Sequence, residues 1–234
     1  GTYVSRPVQF CIKPKIVLNS MFGDDLSFNK KGAIRVSCNL ARNGSVLRGG
    51  GVVSTSNYVV KNIRLKYITI LDDNKQGEVI MNSVISTKQT INSESANLSV
   101  VVPSKACTGV VINYISQKSE TSLTDDSYRL ENIPNLDEIQ FLFSDSMSKY
   151  ISYSVVDKDA MTKLGLEALS VAGVKCKANS FQAKANRNVI HGLNFQDTID
   201  LSSQKFAINL RTSSSQLSTD PRSVYMHFLT IISI

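Results

Sequence analysis

The sequence predicts an all-β sandwich with one helix, and three observations support this prediction. Runs rich in β-branched and aromatic residues dominate the chain, and clusters of turn residues separate them. One segment, near residues 157–171, has apolar residues at helical spacing. Apolar residues make up 42% of the 234 residues, which is enough to build a sizeable core. No repeat of fixed period is present, which argues against a repeat architecture. Many short strands separated by frequent turns favour a sandwich.

The first half of the chain consists of predicted strands and turns. Alternating or β-branched runs predict extended segments over residues 10–17, 33–40, 57–71 and 79–91, the first of them interrupted by Pro14. Asn43-Gly44 is a strong turn signal, and the three glycines at 49–51 permit a bend. Polar residues at 72–77 and 92–97 predict further turns.

The second half continues this pattern and adds the helix. Strands are predicted over residues 98–102, 110–116, 139–143, 150–156, 189–195, 204–211 and 224–234, which brings the total to about a dozen. The polar stretch 117–132 is the longest predicted loop.

The helix has both a start signal and an apolar face. Asp157 can cap its N-terminus, because a carboxylate accepts hydrogen bonds from the first free N–H groups. Met161, Leu164, Ala168 and Leu169 then recur at helical spacing. The pattern predicts an amphipathic helix that ends near residue 173.

The charge is basic but dispersed. The formal net charge is +7, and no block of five or more like charges occurs. A nucleic-acid-binding arm is therefore not expected. A basic face that touches nucleic acid non-specifically, or an acidic partner, stays open.

Targeting, membrane and cysteine signals are weak. The longest apolar stretch falls far short of the roughly 20 residues that span a bilayer, so no membrane span is expected. The N-terminal stretch lacks the apolar region of a signal peptide. The four cysteines are far apart and form no CxxC pair: Cys11, Cys38, Cys107 and Cys176. We expect free thiols in a reducing compartment, with no disulfide scaffold and no zinc site.

Candidate catalytic or metal-binding residues are few. His227 lies in the last predicted strand on the face of Tyr225, Leu229 and Ile231, and a structural role is expected there. His191 precedes a glycine at a strand start and has no Cys, Asp or Glu nearby at ligand spacing. The acidic pairs fall in turns without the glycine-spaced loop of a calcium site: Asp24-Asp25, Asp72-Asp73 and Asp125-Asp126. We therefore predict no catalytic, cofactor-binding or metal-binding residues.

The order of elements from residue 50 to 234 resembles a viral family. The long stretch YVVKNIRLKYITILDD comes first, followed by NLSVVVPSKACTGVVINYI and, after a polar loop, by LDEIQFLFSDSMSKYISYSVV. The helix DKDAMTKLGLEALSV comes next, and VIHGLNFQDTIDLSSQKFAINLRTSS leads to the closing strand SVYMHFLTIISI. This pattern is similar to the jelly-roll capsid proteins of the tectivirus-adenovirus lineage, which also includes virophages and large DNA viruses.

The resemblance implies a fold and a division of the chain. It implies a jelly-roll sandwich of about 8–12 antiparallel strands with one flanking helix. Residues 51–234 would form this domain. Residues 1–50 would be an N-terminal arm or the end of a preceding jelly roll, and the chain would be one half of a double jelly roll or a processed piece.

The resemblance also implies a function. The leading hypothesis is a structural viral capsid protein, either a major capsid or a penton subunit, that is not an enzyme and uses no cofactor. It would self-associate as a trimer or pentamer, contact neighbouring capsid subunits, be made in the host cytoplasm and reside in the virion. The alternative is a β-sandwich binding module of carbohydrate-binding or adhesin type, and a hydrolase on a β scaffold is the least favoured.

Two further expectations concern assembly. The last strand is apolar on both faces. The resemblance implies that the facing sheet covers one side of it and that a neighbouring capsid subunit or the flanking helix covers the other. Apolar residues on both faces also suggest surplus surface for partners. Segments 1–30 and 117–132 are the ones we expect to reach neighbours, because they are long and lack periodicity.

Overall fold

The computed structural model describes residues 39–40, 46, 57–64, 80–122, 133–144, 150–171 and 190–233. The elements bounded within these residues are eight strands, two α-helices and one 3₁₀ turn, and Val46 also has helical backbone. In chain order they are β1 (Ile80–Ile91), β2 (Ser95–Val100), β3 (Cys107–Ser116), α1 (Gln117–Thr121), β4 (Leu136–Ser144), β5 (Tyr150–Val155), α2 (Lys158–Val171), β6 (His191–Ile199), β7 (Lys205–Thr212), the 3₁₀ turn (Ser215–Ser218) and β8 (Arg222–Ser233).

The strands form two four-stranded antiparallel sheets. Sheet A has the order β1-β8-β3-β6, and sheet B has the order β2-β7-β4-β5. The first strand in the chain pairs with the last, the second with the second last, and so on inward. The pairs are β1–β8, β2–β7, β3–β6 and β4–β5. This is the pairing of a long antiparallel ribbon that has been rolled up, which defines a jelly roll. The predicted all-β sandwich with a flanking helix is confirmed.

The core lies between the sheets because each strand alternates inward and outward residues. On β8, Val224, Met226 and Phe228 point inward and are fully buried. On sheet B the same alternation buries Phe206 and Ile208 of β7. The period of two thus places one side of each central strand in a shared interior.

Phenylalanines fill one region of this interior. The ring of Phe206 lies 5.1 Å from that of Phe143 and 5.4 Å from that of Phe228, centroid to centroid. Phe195 and Phe141 lie 6.0 and 6.4 Å away. Tilted and edge-to-face contacts at these distances are favourable for aromatic pairs, so this cluster ties the two sheets together.

The helix α2 lies on the outer face of sheet A, and its start is as predicted. Oδ1 of Asp157 accepts hydrogen bonds from the backbone N–H groups of Asp159 and Ala160, at 2.7 and 2.9 Å. Gly165 of the helix approaches β6 so closely that a Cβ there would stand 2.1 Å from the Ile190 carbonyl oxygen. The fully buried Ala168 packs against Gly192 in the same way. Small residues on both sides thus permit a short helix-to-sheet distance.

This helix explains why β8 is apolar on both faces. Leu229 points outward from β8 and is buried with Val111 of β3 and Ala168 of α2. The facing sheet covers the inner side of β8, and of the two covers expected for the outer side, a neighbour or the flanking helix, the helix covers Leu229. Met226 and Phe228 belong to the core and Leu229 lies under α2, so these three residues supply no surplus apolar surface for a partner. Ile232, near the end of β8, is 43% exposed, and the expectation of a partner contact stays a prediction there.

One predicted strand is wrong in the part that the structure describes. Residues 57–64 form no strand, although the sequence predicts one over 57–71. Asn62 has a φ of 55°, in the left-handed region, which interrupts extended backbone. Val59 and Ile63 are 70% and 67% exposed, so the apolar alternation there covers no core among the described residues.

Other differences concern boundaries. β2 and β3 begin earlier than predicted, at Ser95 and Cys107, and β6 continues to Ile199. The start of the predicted loop 117–132 is helical, as α1. Several predictions lie outside the described residues: the segment 10–17 and nearly all of 33–40, the turns at 43–44 and 49–51, the strand portion 65–71, and the arm 1–30. All eight strands fall within 51–234, while the assignment of residues 1–50 stays a prediction.

In the described ranges no helix is long and apolar enough to cross a membrane.

Candidate functional site

The outer face of sheet A carries a cluster of charged and hydroxyl side chains around Glu120. Oε1 of Glu120 accepts a hydrogen bond from Lys88 Nζ at 2.6 Å and another from the Tyr225 hydroxyl. Oε2 accepts the Ser223 hydroxyl at 2.6 Å. We call these four residues the Glu120 cluster. It joins β1, β8 and α1 through a single carboxylate.

The position of Glu120 follows from the way α1 is fixed. The Ser116 hydroxyl accepts from the Lys118 N–H at 3.2 Å, which caps the helix, and donates to Asp220 Oδ1 at 2.6 Å. The Gln117 N–H donates to the Pro221 carbonyl at 3.0 Å. Both bonds tie α1 to the segment before β8, so the acidic residue of α1 is held over the start of that strand.

The Glu120 cluster stabilises the charged forms of its members. Burial alone would raise the pKa of Glu120, but hydrogen bonds from Lys88, Ser223 and Tyr225 hold it below its ordinary value. Burial alone would lower the pKa of Lys88, but its hydrogen bond to Glu120 holds that pKa above the ordinary value. The pair is therefore ionised at neutral pH, and its charges neutralise each other.

A second set of polar residues continues across the same face, and we call it the His227 chain. Ser86 Oγ lies 2.8 Å from Nδ1 of His227, and Nε2 of His227 lies 2.8 Å from Oδ1 of Asn113. An amide oxygen can only accept, so Nε2 carries the hydrogen and Nδ1 accepts from the Ser86 hydroxyl. Burial lowers the pKa of His227, so the ring is neutral at neutral pH.

The Glu120 cluster and the His227 chain are adjacent. The rings of Tyr225 and His227 are stacked, with centroids 6.5 Å apart and planes 10° apart. Nζ of Lys88 lies 5.4 Å from the Tyr225 ring centroid. The two sets thus form one polar band over β1, β8 and β3.

The other candidate histidine lies inside the sandwich. His191 is buried and shares a hydrogen bond of 2.9 Å between its Nδ1 and the Tyr114 hydroxyl. The two rings meet edge to face at 5.4 Å. Burial lowers the pKa of His191 to about 3 and raises that of Tyr114, so both groups are neutral at physiological pH. The pair satisfies two polar groups inside the core.

The outer face of sheet B carries a row of amides at its centre. Asn97, Asn209 and Gln140 lie side by side on β2, β7 and β4. Asn97 Nδ2 donates to Asn209 Oδ1 at 2.6 Å, and Asn209 Nδ2 donates to Gln140 Oε1 at 2.8 Å. We call these three residues the amide row. At one end of it, Arg211 forms an exposed ion pair with Glu138, N to O 3.3 Å.

The residues singled out in the sequence do not come together in one place. His191 is in the core, His227 is on the outer face of sheet A, and the three acidic pairs lie outside the described residues. Cys107 is a buried free thiol, while the other three cysteines also lie outside them. Across the described ranges, no group of three or more His, Cys, Asp or Glu residues could hold a metal ion.

The polar band on sheet A was missed by sequence reasoning. Glu120 lies 32 residues from Lys88 and 105 residues from Tyr225, so no local spacing connects them. Part of the signal was available, because the alternation of β8 correctly places His227 on the Tyr225 and Leu229 face. The cross-strand partners required knowledge of the register.

The chain matches no protein-family model and no curated protein sequence. What the structure defines is a class by architecture: a jelly-roll sandwich with a helix laid on one sheet.

Proposed function

We propose that this chain is a structural subunit of a viral shell, a major capsid or penton protein, whose function is carried by contacts with neighbouring subunits. The observation that carries the proposal is the strand order, β1-β8-β3-β6 over β2-β7-β4-β5, with a helix between β5 and β6 lying on sheet A. Jelly rolls of this kind recur in viral capsids, and also in lectin domains and cupins. Fold alone does not assign function, so the surfaces must separate these classes.

The interior favours a packing role over chemistry inside the sandwich. Phe141, Phe206 and Phe228 fill the space between the sheets and are fully buried. The buried polar pair His191 and Tyr114 is satisfied internally. A cupin-type enzyme needs convergent polar ligands in that space, and an apolar filling supports a structural protein instead.

The outer faces favour contacts of moderate strength. The charges of the Glu120 cluster are paired with each other, and sheet B presents uncharged amides beside one exposed ion pair, Arg211 with Glu138. Such faces resemble the polar rim of an interface, where many weak contacts add up over about 1,600 Å². Repeated contacts of this kind suit a subunit that must pack on several sides.

The proposal includes partners and location. The chain self-associates as a trimer or pentamer, is made in the host cytoplasm and resides in the virion. Its net charge of +7 permits contact with nucleic acid that depends on salt and not on base sequence.

The test is whether the purified chain assembles. Size-exclusion chromatography with light scattering, followed by electron microscopy, should give a discrete oligomer or particles. Deleting residues 1–30 should reduce assembly more than it lowers the melting temperature. A chain that stays monomeric up to high concentration would contradict the proposal.

A second candidate function, a carbohydrate-binding module, is favoured by the amide row. Asn97, Asn209 and Gln140 offer donors and acceptors on a flat face, which is the chemistry that sugar hydroxyls require. Against it, the neighbouring outward positions include Ala207 and Leu142, which supply no ring for stacking on a sugar. A glycan array with the wild type and with an Asn209→Ala variant decides: tight binding by a monomer, lost in the variant, would replace the shell proposal.

A further inference from the structure

Ser86 and His227 face each other on the outer face of sheet A. They are directly paired in the register of β1 and β8, and Ser86 Oγ lies 2.8 Å from His227 Nδ1. Ser86 is exposed, and β1 is the edge strand of sheet A in the described part of the chain. A reagent in solution can therefore reach this hydroxyl.

Asn113 fixes the direction of the hydrogen bond. Its Oδ1 accepts the Nε2 hydrogen of His227 at 2.8 Å, which leaves the Nδ1 lone pair facing the serine hydroxyl. A nucleophile, a base within 2.6–3.2 Å and a third group that orients the base form the arrangement that activates serine. The Tyr225 ring lies nearly parallel to the imidazole, with the two centroids 6.5 Å apart.

We infer that Ser86 is an acylation site, activated by His227, that accepts an acyl group from an activated donor such as a thioester or a reactive ester. The Ser86 oxygen attacks the carbonyl carbon, the new Oγ–C bond forms and the C–S or C–O bond of the donor breaks. The serine proton passes to Nδ1 of His227 and then to the leaving thiolate or alkoxide. No oxidant or further reactant is required. The inference is independent of the shell proposal.

In the described part of the chain, the backbone of this face supplies no oxyanion donor, which is the second element of an acyl-transfer enzyme. Peptide N–H groups of a sheet lie in the plane of the sheet and are directed at neighbouring strands, so they do not point out over Ser86. A missing oxyanion donor costs about 10²–10³ in rate. Acyl-Ser86 should therefore form once and accumulate, as a modification, with little turnover.

The experiment uses the full chain with two probes, a fluorophosphonate and p-nitrophenyl acetate, and locates adducts by peptide mass spectrometry. We expect one adduct, on Ser86. It should be lost in Ser86→Ala and form at least ~10-fold more slowly in His227→Gln, since a general base contributes about 10²–10⁴. Ser99→Ala is the matched control, because Ser99 is an exposed strand serine opposite Ala207.

Two Asn113 variants test whether the hydrogen bond between His227 and Asn113 activates Ser86 or only holds the structure together. Asn113→Asp keeps the acceptor and adds a negative charge, so the midpoint of labelling against pH should shift upward while labelling persists. Asn113→Leu removes the acceptor, and labelling should fall. Labelling spread evenly over exposed serines, or unchanged in His227→Gln, would overturn the inference.

Discussion

The outer faces of the two sheets have the same pleated backbone but carry different polar side chains. Sheet A is partly covered by α2, and the rest of its central face carries the Glu120 cluster and the His227 chain. Sheet B carries the amide row, with no charge at its centre. Every strand contributes to its outer face at the same period of two, so the pleat does not cause the difference.

The two faces carry different polar residues because helices lie over only one of the two sheets in the described part of the chain. Both α1 and α2 pack against sheet A, and the described residues place no comparable helix on sheet B. A helix over a sheet creates a half-buried environment, where an ionised group needs several partners. On an open face, amides that bond to each other or to water are sufficient. The environment above the sheet thus determines which polar residues it carries.

The largest expected effect is at the contact between α2 and sheet A. Gly165→Ala should destabilise the fold by about 3 kcal/mol, because the new Cβ would collide with the Ile190 carbonyl. Urea denaturation measures this. Lys163→Ala, at an exposed position of the same helix, is the control and should be nearly neutral. A stabilisation of about 1 kcal/mol, as helix propensity alone predicts, would show that α2 does not lie on the sheet.

The next largest effect is the loss of stability in acid that the buried His191 in the core causes. His191 is protonated near pH 6.5 in the unfolded chain but only near pH 3 in the folded one, so the unfolded state binds more protons between these values. Stability should therefore fall as the pH drops below about 6.5, by about 2 kcal/mol at pH 5. His191→Gln should remove this part of the slope, and His227 contributes in the same direction. An identical slope in wild type and variant would contradict the burial of a neutral His191.

A smaller effect is expected on the charged face. Glu120→Gln should cost about 1 kcal/mol at pH 7, because the amide keeps an acceptor but loses the charge that binds Lys88. Added salt should reduce the difference in free energy of unfolding between wild type and variant. The matched variant Lys88→Gln should lose a similar amount of stability. If the two losses were fully additive in the double variant, the ion pair would contribute nothing.

The smallest effect is expected on sheet B. Asn209→Ala should cost only about 0.5 kcal/mol, since its neighbours Asn97 and Gln140 can bond to water instead. The same urea titrations apply, and Ser99→Ala serves as a neutral reference on that face. A loss above about 2 kcal/mol would mean that the amide row is covered in the folded chain.

Local features of the fold could be predicted from the sequence. Asp157 and the apolar spacing after it gave the helix, because capping and amphipathicity involve neighbours within one or two turns. The apolar residues on both sides of β8 correctly indicated two covering layers. Leu229 under α2 and Phe228 in the core are the result.

Non-local features could not be predicted in the same way. Residues 57–64 alternate like a strand, but Asn62 has left-handed backbone and the segment forms no strand in the described part of the chain. The polar band depends on a register that pairs Ser86 with His227 and Lys88 with Tyr225. No spacing in the sequence encodes that register, and the same residue types would fit a solvated face equally well.

The central place of β8 has a consequence for biosynthesis. It lies between β1 and β3, and it is the last of the eight strands to leave the ribosome. Ser86 and His227 are 141 residues apart, so at ~5–20 residues per second β1 waits on the order of ten seconds for its partner. During that interval the nascent chain exposes the unpaired edges of β1 and β3, which can pair with other chains. This protein is therefore most vulnerable to aggregation while it is being translated. Chaperones that act on the nascent chain should raise the yield of folded protein more than slower removal of denaturant does when the purified chain is refolded.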